Sequence, residues 1–146
     1  MHRRLGALLG AALVVSACVG SSSNDADYVS KADKTAAAVR SSVQTVVVAL
    51  QVVREGGAYD PYLSRLIGQA ENDATQAVGS FDVVQPPSDA ADDVRTELNS
   101  VTGDAVDVLT EARIAIRRSD EDGVVALADR LGSSAEALEA FKDAHS

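Results

Sequence analysis

Apolar residues recur at steps of three and four along four segments that follow the first two dozen residues. In the first segment these positions are Tyr28, Ala32, Ala36, Val39, Val43, Val46, Leu50 and Val53. The valine-rich run 46–50 favours a strand by propensity, but periodicity over seven turns predicts a helix. Asn24 or Asp25 can cap its start, and Gly56-Gly57 supplies its stop.

The other three segments have their own start and stop signals. The second opens at Asp60-Pro61, a cap residue followed by proline, and ends before Pro86-Pro87. The third opens at Ser88 and the fourth near Asp120. Their apolar positions are, in order, Leu63, Leu66, Ile67, Ala70, Ala74, Ala77, Val78 and Phe81; Ala91, Val94, Leu98, Val101, Ala105, Val108, Ala112 and Ala115; and Val124, Leu127, Leu131, Ala135, Leu138 and Phe141.

No single helix can bury such a stripe alone, so the four must share one core. The sequence therefore predicts an all-α fold, an antiparallel up-down four-helix bundle over residues 25–146. Four glycines lie inside the predicted helices: Gly68, Gly79, Gly103 and Gly132. Each costs up to about 1 kcal/mol relative to alanine. Either close approach of a neighbouring helix or local flexibility would account for them.

The first twenty residues, MHRRLGALLGAALVVSACVG, have the three-part layout of a secretory signal. Arg3 and Arg4 precede an apolar run at 5–15, which is too short to span a bilayer core of about 30 Å comfortably. The arginine pair is also typical of twin-arginine export, but Gly6 stands where that signal carries a strong apolar residue. We therefore expect a cleaved signal peptide at residues 1–17 that uses the general secretory route.

Val15-Ser16-Ala17-Cys18 resembles the lipobox of bacterial lipoprotein precursors, and Cys18 is the only cysteine. The resemblance implies a diacylglycerol on the Cys18 sulfur and cleavage before this residue, with N-acylation, for example by palmitate, left open. The alternatives are a buried free cysteine and an ordinary signal with a chance cysteine. The expected location is the extracytoplasmic side of the cell membrane. Residues 18–24 would form a flexible tether of about 15 Å.

Composition argues against two further classes of function, nucleic-acid binding and ligand binding in a roomy pocket. The chain has 13 basic and 22 acidic residues and a formal charge of −9. Loss of Arg3 and Arg4 with the signal makes the mature charge −11. Such a surface argues against nucleic-acid binding, which depends on Lys and Arg at phosphates. The apolar residues are mostly Ala, Val and Leu without Trp, which suits closely packed helices better than a roomy ligand pocket.

The sequence offers little catalytic chemistry. His2 leaves with the signal, and His145 is the second-last residue, where we expect a frayed imidazole. No catalytic triad, Walker loop or di-iron helix motif is present. We predict no enzyme activity, no cofactor and no metal. A hydrolase that uses carboxylates alone is a remote third hypothesis.

Several polar and aromatic groups deserve inspection as sites. Asp120, Asp122 and Asp129 partly match a calcium loop, but Arg118 stands at its first ligand position. A helix start rich in acids explains them better. A second acidic group lies at the start of the third helix: Asp89, Asp92, Asp93 and Glu97. Tyr59 and Tyr62 would suit either a partner-binding surface or the packed end of the bundle. Arg113, Arg117 and Arg118 would suit either an anion site or compensation of the helix dipole.

Residues 83–98, VVQPPSDAADDVRTEL, lie between the middle helices of this Cys-anchored, Ala/Val-rich chain, which looks like small helical lipoproteins of uncharacterised function. That resemblance implies a fold and a location rather than an activity. We predict a non-catalytic binding or scaffolding module at the membrane, with an envelope protein as candidate partner. The alternative is a carrier or sensor of a small amphiphile held between the helices. The oligomeric state is not set by the sequence.

Overall fold

A computed structural model describes residues 22–55 and 61–146. The described residues form an all-α structure of four helices: α1 (Asp25–Arg54), α2 (Pro61–Asp82), α3 (Asp89–Arg118) and α4 (Glu121–His145). No strand occurs within these two ranges. The predicted signal peptide, the lipobox residues Val15-Ser16-Ala17-Cys18 and most of the predicted tether lie outside the described residues.

Side-chain caps fix three of the helix starts at the predicted residues. The Asn24 side chain accepts a hydrogen bond from the Asp27 amide at 2.9 Å. The Ser88 hydroxyl accepts one from the Ala91 amide at 3.2 Å, and Asp120 caps α4 through the Gly123 amide at 2.9 Å. Each cap satisfies an amide that the first helical turn leaves without a backbone partner.

The boundaries of the helices agree with the predicted start and stop signals only in part. Helix α2 starts at Pro61 as predicted and ends at Asp82, four residues before Pro86. Helix α3 ends at Arg118, and its C-cap residue Ser119 has a left-handed φ of 53° although it is not a glycine. Helix α1 ends at Arg54. The stop predicted at Gly56-Gly57 and the cap predicted at Asp60 lie outside the described residues.

Helix α1 is central to the core because it contacts each of the other three helices. Helix α3 also contacts all three, whereas α2 and α4 do not touch each other within the described ranges. The predicted α1 stripe is buried from Tyr28 to Leu50, and Val53 is half-buried. By length and composition alone α1 could also cross a membrane. A buried core helix passes the same test, so this property gives no location.

The core of α3 is wider than predicted. A strict 3-4 alternation omitted Thr102, Leu109 and Ile116, which are all buried. The physical reason is that α3 packs against three neighbours, and a stripe one side chain wide cannot meet all of them. Val94 and Val101, which the alternation placed in the core, are only partly buried.

The glycines do not mark close helix approach. A Cβ built at Gly79, Gly103 or Gly132 would meet no atom of a neighbouring element within 4 Å, and one at Gly68 would lie 3.8 Å from the Arg113 side chain. Close packing therefore does not account for these four residues. An alanine methyl would meet no short contact at any of these positions, so each glycine lowers helix stability relative to alanine.

Candidate binding groove

A groove of about 530 Å³ runs between the second half of α1 and the start of α2. Helix α1 contributes six residues and α2 three: Ser41, Gln44, Thr45, Val48, Ala49 and Val52; Tyr62, Leu63 and Leu66. The groove opens to solvent, and its floor is continuous with the core because Ala49 and Leu63 are buried. Residues 56–60, which separate α1 from α2 in the sequence, lie outside the described ranges.

The walls of the groove expose large apolar side chains. Val48 is 60% exposed, Val52 52% and Tyr62 71%. Among the side chains that the structure describes, only two other large apolar residues are exposed, Val83 and Ile114, and neither lines this groove. Val48 and Val52 lie one turn apart on α1, so they form a continuous apolar ridge opposite Tyr62. Clustered exposed apolar groups are characteristic of contact surfaces.

The polar part of the groove is uncharged. The Thr45 hydroxyl donates to the Ser41 carbonyl at 3.0 Å, as is common for threonine inside a helix. Ser41 and Gln44 add a hydroxyl and an amide at the same end. None of the nine lining residues is an acid, a base, a cysteine or a histidine. The arrangement can bury apolar surface and exchange a few neutral hydrogen bonds, and no acid, base, cysteine or histidine among the nine described lining residues is placed to activate the hydroxyls of Ser41, Thr45 or Tyr62.

Arg113, on α3, forms an ion pair with Glu71 on α2. Its guanidinium pairs with Glu71, donating from Nη2 to Oε1 at 3.3 Å and from Nε to Oε2 at a shorter distance. The Thr110 hydroxyl donates to Glu71 Oε1 at 2.7 Å. Burial raises the pKa of the Glu71 carboxyl, but these hydrogen bonds and the Arg113 charge outweigh it, so the pKa is lowered overall. Arg117 and Arg118 are exposed and do not join this cluster.

The acidic group at the start of α3 is mainly a solvated face. Asp89, Asp92, Asp93 and Glu97 are all exposed. Glu97 Oε2 lies 3.5 Å from Nε2 of His145. The prediction of a frayed His145 is wrong, because its Nδ1 is 2.7 Å from the Phe141 carbonyl oxygen and its ring packs on Phe141 with centroids 4.5 Å apart. The last turn of α4 is therefore packed rather than loose.

The residues of the candidate calcium loop do not converge. Asp120 caps α4, while Asp122 and Arg118 are exposed. Asp129 lies beside Arg130, which is ion-paired with Glu111 across α3 and α4. Within residues 22–55 and 61–146, no three His, Cys, Asp or Glu side chains are grouped as metal ligands.

The two predicted site tyrosines have different outcomes. Tyr62 lines the groove, whereas Tyr59 and the predicted lipid attachment residue Cys18 lie outside the described residues. Sequence reasoning missed Val48 and Val52 as surface residues. The valine-rich run could have predicted an exposed valine. Val46 and Val48 are about 200° apart on a helix, so one helical stripe cannot bury both.

Comparisons with known proteins add no relative: no family model, no curated protein and no solved structure matches this chain.

Proposed function

We propose that the protein is a lipid-anchored module of the bacterial cell envelope that binds a partner without catalysing a reaction. In this proposal the mature chain starts at Cys18, is held on the extracytoplasmic side of the cell membrane by lipid on that residue, and uses the groove between α1 and α2 as its binding surface. The anchor is supported by the lipobox-like sequence and by the apolar run before it. The binding role is supported by the groove.

The proposal includes an antiparallel up-down order for the four helices. Contacts between helix ends support it. Ser88, before α3, donates to Asp25 at the start of α1 at 2.8 Å. The Tyr28 ring, also near the start of α1, packs on Phe81 at the end of α2 with centroids 5.1 Å apart. The contact of His145 with Glu97 pairs the end of α4 with the start of α3.

One observation supports the binding role above the others. Three of the five large apolar side chains that the structure describes as exposed line a single groove, and none of its nine described lining residues is charged. In a chain with 24% charged residues, nine adjacent uncharged positions form a distinct patch. Leaving apolar surface in water does not stabilise the fold, so a partner that covers it is the simplest use.

The anchor is tested with Cys18→Ser. We expect the wild-type protein to fractionate with membranes and to carry diacylglycerol on its mature N-terminal residue, as seen by mass spectrometry. The variant should lose the lipid and leave the membrane fraction, or accumulate with its signal uncleaved. An unlipidated wild-type protein would refute the anchor while leaving the groove hypothesis intact.

The groove is tested by photo-crosslinking in intact cells. A benzophenone amino acid at Val52 should give an adduct, whereas the same amino acid at Val83, which is 59% exposed but outside the groove, should not. Equal yields at the two positions, or no adduct at either, would argue against the groove as the binding surface.

A second candidate function is a carrier or sensor of a small amphiphile. The groove volume of about 530 Å³ falls within the range of about 300–1,000 Å³ that is usual for ligand sites. The polar end at Ser41 and Gln44 and the apolar end at Val52 and Leu66 would suit the two parts of an amphiphile. A lipid adduct from the Val52 crosslinker would favour this function.

A further inference from the structure

We propose that the groove between α1 and α2 receives the apolar face of an amphipathic helix from another envelope protein, and that this face is uncharged. This inference rests on the proposed binding function and names the class of partner. Recognition would follow the helix-in-groove mode, in which side chains spaced three and four residues apart fill a cleft between two helices.

The dimensions of the groove match a short helix. Its α1 wall extends from Ser41 to Val52, which is about 17 Å, or about three helical turns. The ridge formed by Val48 and Val52 lies opposite Tyr62 and Leu66, with buried Ala49 between the two walls. A helix laid along this cleft would contact two helices at once, as helices in a bundle core do.

The exposure of the walls favours a helix over a small ligand. Small-molecule sites usually bury about 70–90% of the ligand surface. This groove is open to solvent on its outer side, so a single small amphiphile seated in it would keep its own outer side wet. A helix supplies its own outer cover, because the residues that flank its apolar stripe shield the contact from solvent.

The position of the groove favours a protein over the membrane. It begins at Ser41, about 24 Å along α1 from Asp25. The four mature residues before Ser22 span at most about 14 Å, which is less than this distance, so these residues do not reach the groove. The chain carries a net charge of −9, and it is therefore repelled by anionic headgroups if it lies flat.

A second copy of the chain is a poorer occupant. Two copies would repel each other through their net charges. Outside the groove, the exposed large apolar residues among the described side chains are isolated on separate elements, so a second copy could present only its own ridge of Val48 and Val52. Val83 follows α2, and Ile114 lies within α3.

The test uses the full-length protein in its native cells, with a benzophenone amino acid at Val48 in one strain and at Val52 in another. Both positions are exposed, so the substitutions leave the core intact. Mass spectrometry then identifies the crosslinked residues of the partner. We expect both strains to reach one protein at residues three or four positions apart in a segment with a helical apolar stripe, because Val48 and Val52 are one turn apart.

Charge provides the matched control. Val52→Asp should reduce the adduct formed from position 48 by about tenfold or more, since it places a carboxylate against an apolar face. Val83→Asp should leave that adduct unchanged. Circular dichroism should show that both variants remain helical.

The outcomes separate the inference from the function on which it rests. An adduct with lipid, with a second copy of this chain, or with partner residues two positions apart would overturn the helix as occupant while leaving a binding groove. No adduct above that of the Val83 position would overturn both. A helix-spaced protein adduct that persists unchanged in Val52→Asp would also refute occupancy of the groove.

Discussion

Helix α1 carries valines with opposite surroundings. Val39, Val43 and Val46 have no exposed surface, whereas Val48 and Val52, on the same helix, are more than half exposed. The covered valines lie in the core that α1 shares with its neighbouring helices, and the uncovered ones border a groove. The comparison shows that neither hydrophobicity nor helix propensity distinguishes the two sets. The two sets differ only in whether a neighbouring helix packs on them. The covered face therefore supports stability, and the uncovered face remains accessible to solvent.

The largest expected effect lies on the covered face. Leu50→Ala should lower the free energy of unfolding by about 2–5 kcal/mol, because it removes a fully buried side chain and leaves a cavity. Val48→Ala, two residues away on the uncovered face, should change it by less than about 0.5 kcal/mol. Urea unfolding followed by circular dichroism measures both. Similar losses in the two variants would mean that the groove side of α1 is also covered.

A polar contact that is largely covered gives the next effect. Glu71→Gln should destabilise the protein by about 1–2 kcal/mol, because Arg113 and Thr110 both donate to this carboxylate and a charge-assisted bond contributes more than a neutral one. Glu111→Gln is the control, since its pair with Arg130 is about half exposed and should matter less.

The pH dependence of this contact has a definite sign. The folded-state pKa of Glu71 is lowered, so its contribution is present above the unfolded pKa of about 4.3 and is lost as pH falls through the folded value. The gap between wild type and Glu71→Gln should therefore close in acid. A gap that persists unchanged at low pH would assign the loss to packing rather than to charge.

A buried and an exposed tyrosine allow the same comparison, but here the substitution on the covered side should raise the free energy of unfolding. Tyr28 is fully buried, and its hydroxyl has no hydrogen-bond partner among the described residues. Tyr28→Phe should stabilise the protein by about 1 kcal/mol because it removes this unsatisfied group. Tyr62→Phe, in the exposed groove, should have little effect on unfolding. Urea unfolding of the two variants at neutral pH measures the difference.

Alkaline pH gives a second test of the buried Tyr28 phenol. Burial raises the pKa of Tyr28, so the unfolded chain loses this proton before the folded chain does. Stability should fall as pH rises above about 10, the ordinary tyrosine value, and part of that fall should disappear in Tyr28→Phe. An unchanged alkaline slope in this variant would mean that the phenol is satisfied or solvated.

Glycines on open helix surfaces give a smaller gain. Gly103→Ala should raise the free energy of unfolding by about 0.5–1 kcal/mol, since alanine is the better helix former and its methyl group meets no neighbouring element. Gly68→Ala is the comparison, because its methyl would touch the Arg113 side chain at 3.8 Å. A loss of stability in Gly103→Ala would indicate that this surface is packed.

Much of the fold was predictable because its determinants are local. Asn24, Ser88 and Asp120 cap the helices at the predicted starts, and the stripes on α1 and α4 match the buried residues closely. The wide core of α3 was not predictable, since it depends on which helices contact α3. The groove was missed for the same reason. The helical stripe of α1 places Val48 and Val52 off the covered face, but it does not show that Tyr62 lies opposite them to form a groove.

The smallest expected change in stability is also the sharpest test of the comparison. Val48→Ser should alter the free energy of unfolding by no more than about 0.5 kcal/mol, because its side chain is largely in water already. Val46→Ser, on the covered face, should be strongly destabilising, since it buries a hydroxyl in an apolar core. If the groove is a binding surface, only Val48→Ser should lower the yield of the Val52 photo-crosslink while the fold remains intact. If Val48→Ser lost both its fold and the crosslink, Val48 would belong to the structural core. The two faces of α1 would then have no separate roles in stability and binding.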